Sequence, residues 1–332
     1  MSTAAITLPM RVAEAQTLNP LIRMLRLSAA DGGPLPAWSP GAHIKVQVTL
    51  PDGGQDWRQY SLIDLEGKAG GVGFAPDHYL IAVRREDEGR GGSRFMHQGL
   101  QAGDALLVEA PKNDFAMHEC SGKTLLLAGG IGITPMASMA AHCVATRRPV
   151  ELHYAGRSRA FMAFLPELQA LLGQALQVHA DDESAGAGFD IAALLDGCAD
   201  QDQLYVCGPK PLLDSVLAQT QARGWSHDRV HFELFTAPQV EAGDHEFEVE
   251  LVQSGKTFMV PVGKTILDCM IEQGCDPMFD CNRGECGVCA MPVIEGEIDH
   301  RDYVLTQRER DAGNVIQVCV SRAKGARLVI DA

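Results

Sequence analysis

Four cysteines near the C-terminal end carry the strongest chemical signal in the chain. Cys281, Cys286 and Cys289 stand in a C-x4-C-x2-C arrangement, and Cys319 follows much later. That is the spacing of a plant-type [2Fe–2S] cluster, in which one wrapping loop supplies three thiolates and a distant element the fourth. Gly284 and Gly287 let such a loop fold back so that its amides point at the sulfurs, which stabilises the reduced, more negative cluster. A structural zinc site would present paired C-x2-4-C units, and the distal side here offers only Cys319. Cys269 and Cys275 fall outside the pattern and read as ordinary buried thiols.

A second set of residues suits a dinucleotide. Gly129, Gly130 and Gly132, followed by Thr134 and Pro135, lie between an apolar strand pattern and a helical one. Glycines there permit a tight turn and close approach of a pyrophosphate, and a helix N-terminus adds unpaired amides and a favourable dipole. The run departs from G-x-G-x-x-G, because Pro135 stands where the third glycine would be. The next strand ends in Arg157 and Arg159 rather than in the acidic residue that usually reads a ribose 2′-hydroxyl. Further on, Tyr205-Val206-Cys207-Gly208-Pro209 closes another strand. Gly208 and Pro209 leave flat room for a nicotinamide, with Cys207 beside its reactive carbon.

A nicotinamide gives two electrons as hydride, whereas a [2Fe–2S] cluster accepts one. A flavin is the usual converter, so the N-terminal part of the chain should hold one. Arg58-Gln59-Tyr60-Ser61 is the candidate: Arg58 for a phosphate, Tyr60 to pack on the ring face, Ser61 to hydrogen-bond near N5. Alternate residues of one strand can reach one ligand face. Gly91, Gly92 and Ser93, after a strand pattern at Leu80–Arg84, offer amides and a hydroxyl to a phosphate.

The elements that must position these residues form three segments. Residues 1–117 alternate in short runs such as Ile44–Val48, Tyr79–Val83 and Ala105–Glu109, punctuated by Gly and Pro, as in an antiparallel sheet closed into a barrel. Residues 118–238 alternate strands and helices, among them the apolar run Thr124–Ala128 and helical patterns at Phe161–Leu172 and Pro211–Ala222, as in a parallel α/β sheet. A linker is expected at 239–245. Residues 246–332 begin with two alternating strands and a helix over Thr265–Glu272 with Thr265 as N-cap.

Length and composition agree with a multidomain globular chain: 332 residues, 46% hydrophobic and 21% charged. The net charge of −15 disfavours nucleic acid and anionic membranes as partners. No signal peptide or run of ~18 apolar residues is visible, so a cytoplasmic location with reduced thiols is expected.

The order of these motifs resembles phthalate dioxygenase reductase and its relatives, including the vanillate demethylase reductases. Its marks are Arg58–Leu62, Gly91–Ser93, Ala128–Pro135, Tyr205–Pro209, His231–Glu233, the four cysteines, Asp299–Asp302 and Val318–Arg322. The resemblance covers nearly the whole chain. It implies an FMN-binding barrel, a nicotinamide domain and a β-grasp ferredoxin domain, in a monomer that reduces a terminal Rieske non-haem iron oxygenase acting on an aromatic compound. Related reductases of other classes place the ferredoxin first and use FAD. Carried over by position, Arg58, Tyr60, Ser61, Ala82, Val83, Arg84, Gly91, Gly92 and Ser93 contact FMN, and either Phe232 or Phe235 lies near the flavin edge. Gln59 stands where relatives often have Thr. Arg157 and Arg159 are compatible with the 2′-phosphate of NADPH, but basic pairs also occur in relatives that use NADH, and NADH is the expectation. The stretch Asp64–Asp77 is longer and richer in Gly than the family's usual connection. Two other readings of the same motifs are a stand-alone flavin or ferric reductase and a redox sensor without turnover.

Overall fold

The computed structural model describes residues 6–183, 189–235 and 240–332; residues 236–239, where the expected linker begins, lie outside the described residues. The chain forms two compact units, Met1–Glu233 and Leu234–Ala332.

The first unit holds two sheets. Strands β1 (Thr7–Asn19), β2 (Ile22–Ala29), β3 (His43–Thr49), β4 (Gln55–Ser61), β5 (Tyr79–Arg84) and β6 (Ala105–Glu109) form an antiparallel sheet in the order β4-β3-β6-β1-β2-β5. Period-two patterning drives this arrangement: Ile44, Val46 and Val48 of β3 all turn inward onto Leu25, Leu27 and Ile81 in one core. The two edge strands meet where the Ile63 N–H donates to the Leu80 carbonyl at 2.9 Å, which curls the sheet towards a barrel. A short helix α1 (Gly92–Arg94) continues through a wide turn over Phe95–Gly99.

Strands β7 (Thr124–Gly129), β8 (Val150–Gly156), β9 (Leu176–Ala180), β10 (Gln203–Cys207) and β11 (Val230–Glu233) form a parallel sheet in the order β11-β10-β7-β8-β9. Every residue of β7 is buried, as expected of a central strand covered on both faces. Helices α2 (Ile133–Ala145), α3 (Leu165–Leu172), α4 (Ile191–Asp196) and α5 (Lys210–Ala222) join the strands.

The helical pattern at Phe161–Leu172 is cut short. A 3-10 turn covers Arg159–Phe161, and α3 begins only at Leu165 because Phe164 adopts a left-handed φ of 61° ahead of Pro166. The glycine-rich stretch Asp64–Asp77 lies against α2. The Ser138 hydroxyl donates to the Leu62 carbonyl at 2.9 Å and accepts from the Asp64 amide at 2.9 Å. Gly67 has φ 71°, and a Cβ there would sit 2.5 Å from the Ala141 carbonyl. This stretch therefore forms part of the seam between the antiparallel sheet and the parallel sheet.

The second unit contains β12 (Phe247–Leu251), β13 (Lys256–Val260), helix α6 (Ile266–Glu272), β14 (Ala290–Glu295), β15 (Ile298–Asp299), helix α7 (Gln307–Ala312), β16 (Val315–Gln317), β17 (Arg322–Ala323) and β18 (Arg327–Ile330). The main sheet runs β13-β12-β18-β14-β16, with β12 and β18 parallel. This is a β-grasp arrangement, with α6 packed under the sheet through Ile266, Leu267 and Met270. Thr265 caps α6 in a box with Asp268.

Candidate functional site

In the antiparallel sheet, Arg58, Gln59, Tyr60 and Ser61 are the last four residues of β4. Arg58 Nη1 pairs with Asp56 Oδ2 at 2.5 Å and donates to the Trp57 carbonyl at 2.8 Å. Burial opposes ionisation of Asp56, yet its bonds to Arg58 and to the Trp57 amide hold its carboxyl below the ordinary value. Arg58 Nη2 is buried without a protein partner, and so is Ser61 Oγ. Tyr60 is half-buried against the barrel core, and burial raises its hydroxyl pKa.

The structure brings the second flavin motif to the first. A Cβ on Gly92 would lie 2.9 Å from Arg58 Nε and 3.2 Å from Arg58 Cγ, and one on Gly91 (φ 99°) would strike Pro51 at 2.5 Å. The start of α1 is thus pressed against the Arg58 guanidinium. Ser93 Oγ is held differently from the expectation: it accepts from the Glu86 amide at 3.0 Å and donates to the Glu86 carbonyl at 3.2 Å. Ala82 and Val83 are buried in β5, while exposed Arg84 pairs with Glu86 at 3.1 Å. A glycine cradle beside a guanidinium with a spare buried N–H suits a phosphate. The spare hydroxyl of Ser61 suits a ring nitrogen. These residues fit a flavin mononucleotide.

The two dinucleotide motifs meet at the carboxyl ends of the neighbouring strands β7 and β10. A Cβ on Gly132 would sit 2.1 Å from the Cys207 carbonyl oxygen, one on Gly129 2.6 Å from Pro209 Cδ, and one on Gly208 3.0 Å from Gly129 Cα. Gly129, Gly132 and Gly208 are therefore demanded by packing of one motif on the other. Only Gly130, with φ 57° and nothing within 4 Å of a Cβ, faces open space. Pro135 sits in the first turn of α2, and Thr134 Oγ1 donates to the Ile131 carbonyl at 3.0 Å. The chain passes from β7 through α2 to β8 on one side, while β10 lies on the other. Such a switch point opens a ligand crevice beyond the strand ends. Buried Cys207 ends β10 at its rim.

Arg157 and Arg159 are exposed beyond β8, and Arg159 Nε donates to both oxygens of Glu183, at 2.8 and 3.0 Å. Phe232 is half-buried within β11 beside Val206, and Phe235 is half-buried just past that strand. His97 and His153 are held by the Val83 carbonyl and by Glu151, both at 2.8 Å, as structural histidines are.

In the second unit the cluster loop turns through Asn282, Gly284 and Gly287, all at positive φ. It brings the Arg283 and Glu285 amides onto Cys281 Sγ, each at 3.4 Å. The hydrogen bond from the Cys319 thiol and these amides outweigh burial and push the Cys281 pKa down to about 4; that of Cys319, hydrogen-bonded to Cys281 and Cys289, is raised. Cys281, Cys289 and Cys319 are buried, whereas Cys286 is exposed. Asp302 ties the segment Asp299–Asp302 to this loop. Its carboxylate accepts from the Val304 and Leu305 amides at 3.1 and 2.8 Å, and the Tyr303 N–H donates to the Gly284 carbonyl at 2.9 Å. A Cβ on Gly284 would meet Val320 at 2.8 Å and Asp302 Cα at 3.0 Å. Four converging thiols with loop amides aimed at one sulfur suit a two-iron cluster.

Sequence reasoning passed over Asp56 and Glu285. Asp56 was legible, since residues two apart on one strand share a face. The side-chain partner of Glu285 is fixed only by the fold.

Comparison with known proteins agrees with this geometry. Residues 126–217 match the oxidoreductase NAD-binding domain family, and residues 249–324 the 2Fe-2S iron-sulfur cluster binding domain family. The chain is 40% identical to the toluene-4-sulfonate monooxygenase system reductase subunit of Comamonas testosteroni, over 97% of this chain and 98% of that one. It is 38% identical to the vanillate O-demethylase oxidoreductase of Pseudomonas sp. (strain HR199 / DSM 7063), over 92% and 94%. The solved structure of phthalate dioxygenase reductase, described as modular for electron transfer from pyridine nucleotides to [2Fe-2S], superposes with a TM-score of 0.74 and 34% identity over 98% of both chains.

Proposed function

The chain belongs to the family of reductase subunits that serve multicomponent oxygenases and demethylases, and on that footing we propose that it carries electrons from NADH, through FMN and its own [2Fe–2S] cluster, to a separate terminal Rieske-type oxygenase. The observation that carries this reading is the exposure of Cys286 while the other three cluster cysteines are buried. An exposed ligand gives outgoing electrons an edge at which a second protein can dock.

A flavin held by the chain would supply the conversion of a two-electron hydride into single electrons for a one-electron cluster. The chain's residues bind and orient. Arg58 and the Gly91–Gly92 cradle hold the FMN phosphate, Tyr60 covers the ring, and Ser61 donates to the N5 edge. Ala82, Val83 and Arg84 are assigned as further flavin contacts, and Phe232 or Phe235 as the residue near the flavin edge, on the family resemblance. The Gly129–Gly132 turn receives the pyrophosphate, and Gly208 and Pro209 seat the nicotinamide beside Cys207. The pairing of Arg159 with Glu183 supports NADH, because that carboxylate competes with a 2′-phosphate for the guanidinium. Cys281, Cys286, Cys289 and Cys319 ligate the cluster, and the Arg283 and Glu285 amides stabilise its negative charge. On this reading residues 1–117 are the FMN domain, 118–238 the nicotinamide domain, 239–245 the linker and 246–332 the ferredoxin domain.

Replacing Cys286 with Ser tests the relay. NADH-driven cytochrome c reduction through the cluster should be lost, while reduction of ferricyanide by the flavin persists. An unchanged cytochrome c rate would overturn the proposal.

A further inference from the structure

Ser138 lies inside α2 at 1% exposure. A serine within a helix ordinarily bonds back to a carbonyl of its own preceding turn or faces water. Ser138 instead turns its hydroxyl away from the helix: it donates to the Leu62 carbonyl and accepts from the Asp64 amide, both at 2.9 Å. Leu62 directly follows Ser61, the last residue of β4. Between the two partners, the Ile63 amide donates to the Leu80 carbonyl of β5 at 2.9 Å. Asp64 gathers the chain beyond it, since its carboxylate accepts from the Glu66 and Ala69 amides at 2.8 and 2.6 Å. His142 Nδ1, one turn along α2, donates to the Ala69 carbonyl at 3.2 Å.

The two sides of this contact carry the two candidate sites, and all of these residues belong to the first compact unit. The Gly130–Gly132 turn, assigned to the pyrophosphate, leads straight into α2, and its Cα atoms come within 8 Å of those of β5. Arg58 to Ser61, assigned to the flavin, lead straight into Leu62. One buried hydroxyl thus ties the helix behind the nicotinamide crevice to the strand end assigned to the flavin. Shielded from water, such a bond is strong, and removing the hydroxyl leaves two main-chain groups without that partner.

We propose that Ser138 is a positioning residue for hydride transfer: its hydroxyl holds α2 and the end of β4 in the register at which a nicotinamide in the crevice meets the flavin. The inference rests on the FMN and NADH assignments above. In the step it governs, the C–H bond at the reactive carbon of dihydronicotinamide breaks. The hydrogen and both bonding electrons pass to flavin N5, where an N–H bond forms; neutral flavin becomes anionic reduced flavin as the nicotinamide becomes a cation. Such a step needs the reacting atoms about 3–3.5 Å apart, and a misplacement of about 1 Å costs on the order of a hundredfold.

The test uses the full-length, cofactor-loaded protein and the variants Ser138→Ala and Ser138→Cys, mixed rapidly with saturating NADH without oxygen. Ala should slow flavin bleaching at least tenfold, while FMN content and the NADH titration midpoint stay within threefold of the parent. NADH carrying deuterium at the transferred position should slow bleaching in Ala further, as expected when hydride transfer limits it. The long-wavelength absorbance of nicotinamide stacked on flavin should weaken in Ala, a change that a loss of stability alone would not bring. Cys keeps a weaker donor of similar size and should fall between Ala and the parent. Unchanged bleaching in Ala, or slowing that follows FMN loss, overturns the proposal. If Ala does not fold, Cys carries the test: slower bleaching with FMN retained supports the clamp, and bleaching at the parent rate overturns it. If NADH fails to bleach the flavin of the parent protein, the FMN and NADH assignments fail instead, so the two failures are distinguishable.

Discussion

Gly132→Ala isolates the contact on which the nicotinamide crevice depends. Gly132 has an ordinary helical φ of −60°, so alanine there brings no backbone strain. The cost is steric. The new methyl would lie 2.1 Å from the Cys207 carbonyl oxygen and 2.5 Å from its carbon, both main-chain atoms. That is about 1 Å inside even a tight contact. Neither side gives easily, since β7 and β10 are hydrogen-bonded neighbours and Gly132 leads into α2. Overpacking a rigid site costs about 1–3 kcal/mol, occasionally more, and this clash should reach the upper end. Gly130→Ala is the control: its φ of 57° costs about 1–2 kcal/mol as a left-handed residue, but its Cβ meets nothing within 4 Å. Denaturant midpoints, NADH titrations and the rate of flavin bleaching would be measured for both. Gly132→Ala should lose about 3 kcal/mol and weaken NADH at least tenfold, since about 1.4 kcal/mol suffices for that factor. Gly130→Ala should lose less stability. If Gly132→Ala binds NADH as the parent does, or is the more stable of the two, the packing of the two motifs does not shape the crevice.

Two further outcomes follow from the geometry. Arg58→Ala removes the buried guanidinium beside Gly92; with charged hydrogen bonds contributing about 1.5–3 kcal/mol, FMN should bind about tenfold to a hundredfold more weakly, read by fluorescence during dialysis, and a variant that purifies with full flavin would contradict the phosphate assignment. His231 stacks between His118 and Tyr205, with ring centroids 4.5 and 4.6 Å away, and burial, then the charge of His118, push its pKa down to about 4. Its neutral form is favoured on folding, so the unfolded chain takes up a proton at about pH 6.5 that the folded chain refuses until about pH 4. Stability from this group is complete above that window and is lost as pH falls through it. Discounted for partial exposure, the loss should be about 1–2 kcal/mol. His231→Phe keeps the stack and should flatten that part of the pH profile of the urea midpoint; an unchanged slope would refute the assignment.

Candidate ligand sets could be named from the sequence because iron–sulfur and phosphate chemistry constrain residue type and spacing locally. In the structure the glycine run leads into α2, and Ile44, Val46 and Val48 of β3 alternate inward as their pattern suggests. What the sequence hid is tertiary. The left-handed Phe164 that delays α3 leaves no local signal. The stretch Asp64–Asp77 makes sense only once Ser138 and Ala141 of α2 are seen beside it. Gly129 and Gly132 suggest a close approach of ligand, and the sequence does not show that they are also packed on Pro209 and the Cys207 carbonyl, far away in sequence. Glu285 looks like a loop filler until its carboxylate meets Leu234. Ser93 has the right type for a phosphate contact, but its hydroxyl is committed to Glu86, and only the fold reveals it.

An oxygen-free titration of the purified protein with NADH, followed by visible and electron paramagnetic resonance spectra, tests the central claim most directly. With two electrons for the flavin and one for the cluster, reduction should end at about 1.5 NADH per chain, with both the flavin bands and the iron–sulfur bands bleached and a reduced-cluster signal present. An endpoint at about one NADH with no iron–sulfur signal, or zinc bound in place of iron, would contradict it.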